Sequence, residues 1–305
     1  MNESGKSVLI DQINRLKQDR KAIILAHYYQ EPEIQDIADF IGDSLELSRK
    51  AAETDAEVIV FCGVRFMAEN AAILSPEKTV LLPEMGAGCF LADMVTVDEL
   101  RAAKDKHPGA IVVCYVNSPA VVKAESDIAC TSANAVRVVE SLPADREILF
   151  VPDRNLGKYV SRCTGRNLIL WKGFCSVHDA VGAGDILEAK KENPEAKVLV
   201  HPECSPEVID LADMVGSTSG IINFASGDKA AEFIIGTECG LLHHLKKLCP
   251  EKKFILPTAS LKCDDMKRID LSKLHTSLVE MANKVEVSAE VRKKAILSLE
   301  RMLAV

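Results

Sequence analysis

The sequence predicts an α/β protein of three homologous three-layer α/β domains with parallel sheets, arranged with pseudo-three-fold symmetry around a central active site. Three observations support this prediction. A short aliphatic strand pattern recurs three times, each copy ends in polar residues, and helical patterns separate the strands. Strands that alternate with helices are typical of parallel sheets covered by helices. The repeat overrides the two domains that length alone would suggest.

The repeat is clearest at the first strand of each unit. The run AIILAHYYQ at 22–30 recurs as AIVVCYVNS at 110–118 and as KVLVHPECS at 197–205. His27, Tyr115 and His201 therefore occupy equivalent positions, at intervals of 88 (115 − 27) and 86 (201 − 115) residues. Such regular spacing predicts that the polar residues following each first strand have related roles.

Later markers keep the same order. Asp39, Asp127 and Asp213 recur at the same intervals, and they are followed by strand patterns VIVFCG, ILFVPD and FIIGT. Helical patterns include IQDIADF, FMAENAAIL, NLGKYVSRC and CGLLHHLKKL. The predicted domains are 1–92 with an N-terminal helix, 93–178, and 179–305 with two C-terminal helices. Ser288 is predicted to cap the second of these helices, with Glu290 in its first turn.

Each unit closes with an aliphatic strand that runs into a cysteine, at Cys89, Cys175 and Cys263. Ligands gather outside the carboxyl ends of parallel strands, so symmetry predicts that these three thiols converge. The other cysteines are predicted to be small buried hydrophobic residues; they are Cys62, Cys114, Cys130 and Cys163, and with less support Cys204, Cys239 and Cys249.

Three convergent thiolates fit two kinds of metal site. One is a zinc site completed by water or histidine, and the other is a cubane iron–sulfur cluster with one iron that lacks a protein ligand. Zinc sites usually take two ligands from a close pair such as C-x-x-C, which this sequence lacks. A larger cluster also spans three separate domains better than a single ion does.

Small hydroxylated residues precede a predicted helix in every unit, in GDS at 42–44, TSAN at 131–134 and GSTSG at 216–220. Hydroxyls and free backbone N–H groups at helix N-termini bind phosphate or carboxylate groups. The residues in question are Ser44, Ser132, Ser217 and Thr218.

Histidine is the expected proton carrier near neutral pH. His27, His178 and His201 lie at strand ends or beside a predicted cysteine ligand. Glu203, two residues after His201, is the natural carboxylate partner.

Charge and composition exclude several classes of protein. The net charge of -8, the pI near 5.5 and the absence of a sustained Lys/Arg stripe argue against nucleic-acid binding. The N-terminal residues do not resemble a signal peptide, and no apolar run approaches membrane-spanning length, so a cytoplasmic protein without a membrane partner is expected. Its ten cysteines should then be thiols or metal ligands.

The motifs AHYYQ, QDIADFIGDSLELS, YVNSPAVVKAESD, TSANA, PDRNLG, CSVH, HPEC and VGST occur in this order, and together they resemble the quinolinate synthase family. The resemblance runs through nearly the whole chain. It implies three related α/β domains around one [4Fe-4S] cluster per chain. Cys89, Cys175 and Cys263 match the three ligands of that cluster, whose fourth iron stays open.

The resemblance also implies an activity: condensation of iminoaspartate with dihydroxyacetone phosphate to quinolinate, with release of phosphate and two waters, on the route to NAD. An aspartate oxidase or dehydrogenase would supply the imine. The implied catalytic residues are His27, Tyr29, Tyr115, His178, His201 and Glu203. The implied substrate-binding residues are His27, Ser44, Tyr115, Asn117, Ser132, His201, Glu203, Ser217 and Thr218.

Two other functions are compatible with parts of the pattern. A non-catalytic iron–sulfur sensor of a phosphorylated metabolite would share the cysteines without needing the acid–base residues together. A zinc-dependent lyase or aldolase would keep the acid–base residues with another metal. The metal content of the protein distinguishes these functions.

Overall fold

The computed structural model describes residues 3–305, whose strands form three separate four-stranded parallel sheets. The first sheet contains β1 (Ala22–His27), β2 (Phe40–Gly42), β3 (Val58–Cys62) and β4 (Thr79–Leu81). The second contains β5 (Ile111–Tyr115), β6 (Ile128–Cys130), β7 (Ile148–Val151) and β8 (Ile169–Leu170). The third contains β9 (Lys197–Val200), β10 (Met214–Val215), β11 (Glu232–Gly236) and β12 (Lys253–Ile255).

Helices connect and cover these strands. Around the first sheet they are α1 (Glu3–Asp19), α2 (Pro32–Ile37), α3 (Ser44–Glu53) and α4 (Arg65–Leu74). Around the second they are α5 (Val97–Lys106), α6 (Ala120–Lys123), α7 (Ala135–Glu140) and α8 (Arg154–Thr164). The rest are α9 (Ala183–Glu192), α10 (Pro206–Ile209), α11 (Thr218–Gly227), α12 (Leu241–Leu248), α13 (Leu271–Glu280) and α14 (Ala289–Leu303), with single 3₁₀ turns at Ala92–Met94 and Asp265–Lys267.

All three sheets have the same strand order. Each places its first strand between the second and the third, with the fourth at the far edge: β2-β1-β3-β4, β6-β5-β7-β8 and β10-β9-β11-β12. The predicted fold class is therefore confirmed. The predicted boundaries at 92/93 and 178/179 fall between the sheets and stay a prediction as domain limits.

The recurring aspartates have a structural role at the amino ends of the first strands. The Asp127 carboxylate accepts the Val112 N–H at 2.8 Å, and the Asp213 carboxylate accepts the Val198 N–H at 2.7 Å. Asp39 repeats this contact with Ile24 at 2.8 Å. A charged acceptor for a strand N–H fixes the turn into the second strand, which explains why the residue type recurs.

The second strand of each sheet is the element that the sequence patterns missed. IQDIADF was predicted to be helical, yet α2 ends at Ile37 and the chain is extended from Ala38 into β2. This prediction was wrong at its C-terminal end because β2, β6 and β10 are only two or three residues long. Such strands are too short to show a period of two, and pairing with the neighbouring first strand stabilises them.

The C-terminal helices connect the units. As predicted, Ser288 caps α14, since its hydroxyl accepts the Val291 N–H at 3.4 Å. Helix α14 packs on β6 and α6 of the second unit, and α13 packs on α1 of the first. Asn283 also donates to the Pro83 carbonyl oxygen at 3.1 Å. Residues after the third sheet therefore tie the three units into one body.

Among the described residues, no helix combines the length and apolar character that crossing a membrane requires.

The aliphatic strands form the core. Leu25, Phe150 and Leu199 come from the three sheets, are fully buried and belong to one continuous apolar cluster. Burial of this kind is the main favourable contribution to folding.

We expect Leu199→Ala to lower the free energy of unfolding by about 2–5 kcal/mol, because it leaves a cavity beneath β9. Leu187→Ala, on the exposed face of α9, should change it by only about 0.5 kcal/mol. Urea denaturation measures both variants. Equal effects would contradict the assignment of Leu199 to the core.

Candidate active site

The carboxyl ends of the first strands from all three sheets face one cavity. It holds about 660 Å³ of empty space, counting its open mouth. Of the predicted site residues, the structure brings thirteen to its wall: His27, Tyr29, Ser44, Cys89, Tyr115, Asn117, Ser132, Cys175, His178, His201, Glu203, Thr218 and Cys263. Ser217 is the predicted site residue that does not line the cavity.

The three repeat cysteines all line this cavity, although no two are close in sequence. Among the remaining cysteines, those predicted to be core residues are indeed buried, with two exceptions. Cys163 is exposed, so that prediction was wrong: it lies on the outer face of α8, where a helix turns one side to solvent. Cys239 is partly exposed.

The sulfur environments suit metal ligands. Burial raises the pKa of Cys89 to about 12, and it also raises the pKa of Cys175 and of Cys263. Backbone N–H groups three residues further on, at Ala92, His178 and Met266, point at the sulfurs and oppose this rise. Without a metal the thiols are therefore protonated near neutral pH, and metal binding would release protons.

Two donor sets can hold a metal here. The three cysteines offer soft sulfur ligands of the type that iron–sulfur clusters use, one from the end of each sheet. Cys175, His178 and Glu203 form a second set, because one ligand atom of each lies within 4.8 Å of the others. The two sets share Cys175, so they cannot both be filled.

Glu203 is the centre of a buried polar network. Its Oε1 accepts the Tyr115 hydroxyl at 2.5 Å, and its Oε2 lies 2.7 Å from His178 Nδ1. Burial acts to raise the pKa of Glu203, but the nearby His201 and His178 and the hydrogen bonds outweigh it and lower this pKa. The carboxylate is therefore ionised and acts as an acceptor.

The network continues to a second tyrosine. His178 Nε2 lies 2.9 Å from Thr237 Oγ1, which lies 2.6 Å from the Tyr29 hydroxyl. Tyr29, Thr237, His178, Glu203 and Tyr115 thus form one unbroken chain of hydrogen bonds. Burial, together with neighbouring carboxylates, raises the pKa of both tyrosines, so each keeps its proton as a donor.

His27 and His201 are neutral bases. Burial lowers the pKa of each to about 3; the nearby Lys267 adds to the effect at His27, whereas Glu203 opposes it at His201. The Tyr29 N–H donates to His27 Nδ1 at 3.1 Å, and the Glu203 N–H donates to His201 Nδ1 at 3.3 Å. Each neutral ring therefore carries its hydrogen on Nε2, and His201 Nε2 lies 3.2 Å from Ser132 Oγ.

The predicted anion-binding residues are placed unequally. Ser44 is the first residue of α3, and Thr218 Oγ1 donates to the Tyr29 hydroxyl at 3.2 Å. Ser217 instead caps α11, since its hydroxyl accepts the Gly220 N–H at 3.2 Å. Asn117 Oδ1 is buried and has no donor among the described residues, which leaves it free to accept from a ligand.

Sequence reasoning missed four polar residues at this site: Asp43, Asp153, Thr237 and Glu238. Thr237 and Glu238 directly follow β11, as Pro152 and Asp153 follow β7. The signal for Asp153, Thr237 and Glu238 was their shared position after the third strand of a repeat, whereas Asp43 follows the second strand of its unit. The equivalent residue of the first unit is Val64, so the polar character does not recur three times.

The family model described as Quinolinate synthetase A protein matches residues 11–304. The protein named quinolinate synthase from Desulforudis audaxviator (strain MP104C) is 60% identical over 296 residues, covering 97% of this chain and 98% of that protein. Two further proteins named quinolinate synthase are also similar. The one from Methanosarcina barkeri (strain Fusaro / DSM 804) is 54% identical, and the match covers 97% of this chain and 97% of that protein. The one from Dehalococcoides mccartyi (strain CBDB1) is 55% identical, and the match covers 98% of this chain and 99% of that protein.

The buried neutral histidines predict how stability depends on pH. Their folded pKa of about 3 lies below the unfolded value near 6.5, so only the unfolded chain takes up protons as the pH falls. The free energy of unfolding should therefore decrease from about pH 6.5 downwards. In metal-free protein, His27→Gln should weaken this dependence between about pH 6.5 and 5, measured by urea denaturation at each pH. An unchanged slope would show that folding does not lower the pKa of His27.

Proposed function

Because the chain belongs to the quinolinate synthase family, we propose that it condenses iminoaspartate with dihydroxyacetone phosphate to quinolinate, releasing phosphate and two waters, for NAD biosynthesis in the cytoplasm. One observation carries this proposal. Two tyrosines, a histidine and an ionised glutamate share one hydrogen-bond chain in the cavity that the three cysteines line. Proton transfer and metal binding are thus available in one place.

Cys89, Cys175 and Cys263 would hold one [4Fe-4S] cluster, with one iron left without a protein ligand. When bound, the cluster supplies a Lewis acid that polarises a substrate oxygen for dehydration. The donor set fits, since three sulfurs from three sheets line one cavity and backbone N–H groups favour their thiolate form.

The acid–base steps belong to the hydrogen-bond chain. Condensation and dehydration require that protons leave carbon and reach departing oxygens. Tyr115 keeps its proton while bonded to the Glu203 carboxylate, so it can donate to substrate and recover a proton along the chain. Tyr29 lies at the other end of this hydrogen-bond chain, where its hydroxyl contacts Thr237. His27 adds a neutral ring on the cavity wall.

Substrate carboxylates and phosphate would bind opposite these groups. Ser44 offers a hydroxyl at the N-terminus of the ten-residue helix α3, where the helix dipole favours negative charge. Ser132, Thr218 and Asn117 add polar atoms on the same wall. Ser217 would contribute to anion binding indirectly, by capping the N-terminus of α11. An aspartate oxidase or dehydrogenase would supply the imine, which hydrolyses readily in water.

A second candidate is a zinc-dependent lyase or aldolase. The observation that favours it is the grouping of Cys175, His178 and Glu203, a plausible donor set for one zinc ion. The family consists of enzymes, so a non-catalytic sensor has no support from it. Metal analysis separates the two catalytic candidates.

Anaerobically purified protein should contain about four irons and four sulfides per chain. We expect Cys175→Ser and Cys263→Ser to lose this iron together with quinolinate formation, because each removes a sulfur ligand. Cys62→Ala, which truncates a buried cysteine of β3, should keep its iron and lose only about 1–2 kcal/mol of stability. Stoichiometric zinc without iron in the unmodified protein would favour the second candidate.

Glu203→Gln should retain iron and sulfide but reduce quinolinate formation from the two precursors by about 100-fold or more, because the amide is not a proton acceptor. Glu207→Gln, the same change at an exposed site on α10, serves as the matched control. It should leave the rate unchanged. Full activity in Glu203→Gln would remove this carboxylate from the mechanism.

A further inference from the structure

Two buried carboxylates occupy equivalent positions at the carboxyl ends of β7 and β11. Val151 pairs with Cys114, and Gly236 pairs with Val200, at matching positions of their sheets. Asp153 and Glu238 each follow two residues later, and they are 0% and 1% exposed. Neither takes part in the hydrogen-bond chain between the tyrosines. Carboxylates buried this deeply are retained only where partners compensate for lost hydration.

Asp153 joins a helix to a cysteine. Its Oδ1 accepts the N–H groups of Asn155 and Leu156 in the first turn of α8, both at 2.8 Å. Its Oδ2 accepts the N–H of Cys175 at 3.2 Å. No Lys, Arg or His among the described residues forms an ion pair with it. Burial and the nearby Glu203 raise the pKa of Asp153, and the three backbone N–H groups oppose this rise.

Glu238 makes the corresponding contact in the third unit. Its Oε1 accepts the N–H of Cys263 at 3.1 Å, and its Oε2 accepts the N–H of Gly240 at 2.7 Å. Unlike Asp153, it is paired with a cation, because Lys267 Nζ lies 3.1 Å from Oε1. The same ammonium donates to the Tyr29 carbonyl oxygen at 2.5 Å.

The first unit lacks this contact. Cys62 pairs with Ala26 at the matching register, so the residue equivalent to Asp153 is Val64. Its side chain is buried, lines the cavity and has no acceptor for the N–H of Cys89. A buried carboxylate therefore accepts the backbone N–H of Cys175 and of Cys263, whereas the equivalent residue of the first unit offers no acceptor to Cys89.

We propose that Asp153 and Glu238 are positioning residues, which fix the backbone at Cys175 and Cys263 beside the metal centre. The positioning follows from geometry alone, whereas its effect on a cluster rests on the proposed function. Hydrogen bonds and net charge around a cluster set its reduction potential.

The test uses full-length, anaerobically purified Asp153→Asn and Glu238→Gln. Each substitution replaces one acceptor oxygen by an amide NH₂ group. If this group faces the cysteine N–H, the bond to the cysteine is lost; if it faces the other way, the bond from the side chain to its other backbone partner is lost. We expect amide hydrogen exchange to accelerate in the loop around Cys175 and around Cys263, respectively. Because hydrogen bonds around a cluster influence its reduction potential, the midpoint potential of the cluster should also differ from that of the unmodified protein in both variants.

Asp127→Asn and Asp213→Asn are the matched controls. They remove carboxylates that also accept a strand N–H in the same two sheets, at the opposite ends of the strands. Neither should alter exchange in the cysteine loops or the potential. If Asp153→Asn fails to fold because α8 loses its cap, Glu238→Gln carries the test alone.

Variants that match their controls in both measurements would overturn the proposal. Unchanged exchange with a shifted potential would overturn the positioning role. If the unmodified protein contains no cluster, the proposed function fails, and the exchange measurement still decides whether the carboxylates anchor the cysteine loops.

Discussion

The structure depends on the meeting of three parallel sheets at the carboxyl ends of their strands. In a parallel sheet all strands end at one edge, where the following turns and helix N-termini present polar groups. Three sheets with the same strand order direct these edges toward one cavity. Residues as distant in sequence as Cys89, Cys175 and Cys263 line the same cavity for this reason, and each only has to lie in the loop after the fourth strand of its sheet.

Hydrogen bonds between residues of the site also hold the three units together. Tyr115 of the second unit donates to Glu203 of the third, and Tyr29 of the first contacts Thr237 of the third. Ser219 of the third also donates to Asp43 of the first at 2.6 Å. Buried polar groups are costly unless they are paired, so the units must be docked for these groups to be satisfied. The contacts that dock the units are therefore also contacts that form the site.

The three repeats give the units the same backbone arrangement. Different residues at equivalent positions of the repeats give each unit a different chemical role. The position two residues after His27, Tyr115 and His201 is Tyr29, Asn117 or Glu203: a donor, an amide with a free oxygen, and an ionised acceptor. An asymmetric substrate and an asymmetric sequence of proton transfers require such differences. The aspartates at the opposite ends of the strands stay identical because they serve only the fold.

The sequence alone determined the three α/β units, their parallel sheets and most of the cavity wall, because strand patterns, polar strand ends and cysteines recur at constant intervals. It did not reveal the short second strands, since two or three residues show no period and form only by pairing. It also missed Asp153 and Glu238, and it placed Ser217 on the cavity wall. Tertiary structure decided these points because the partner of a side chain depends on how three units dock, and sequence spacing within one unit carries no record of that docking.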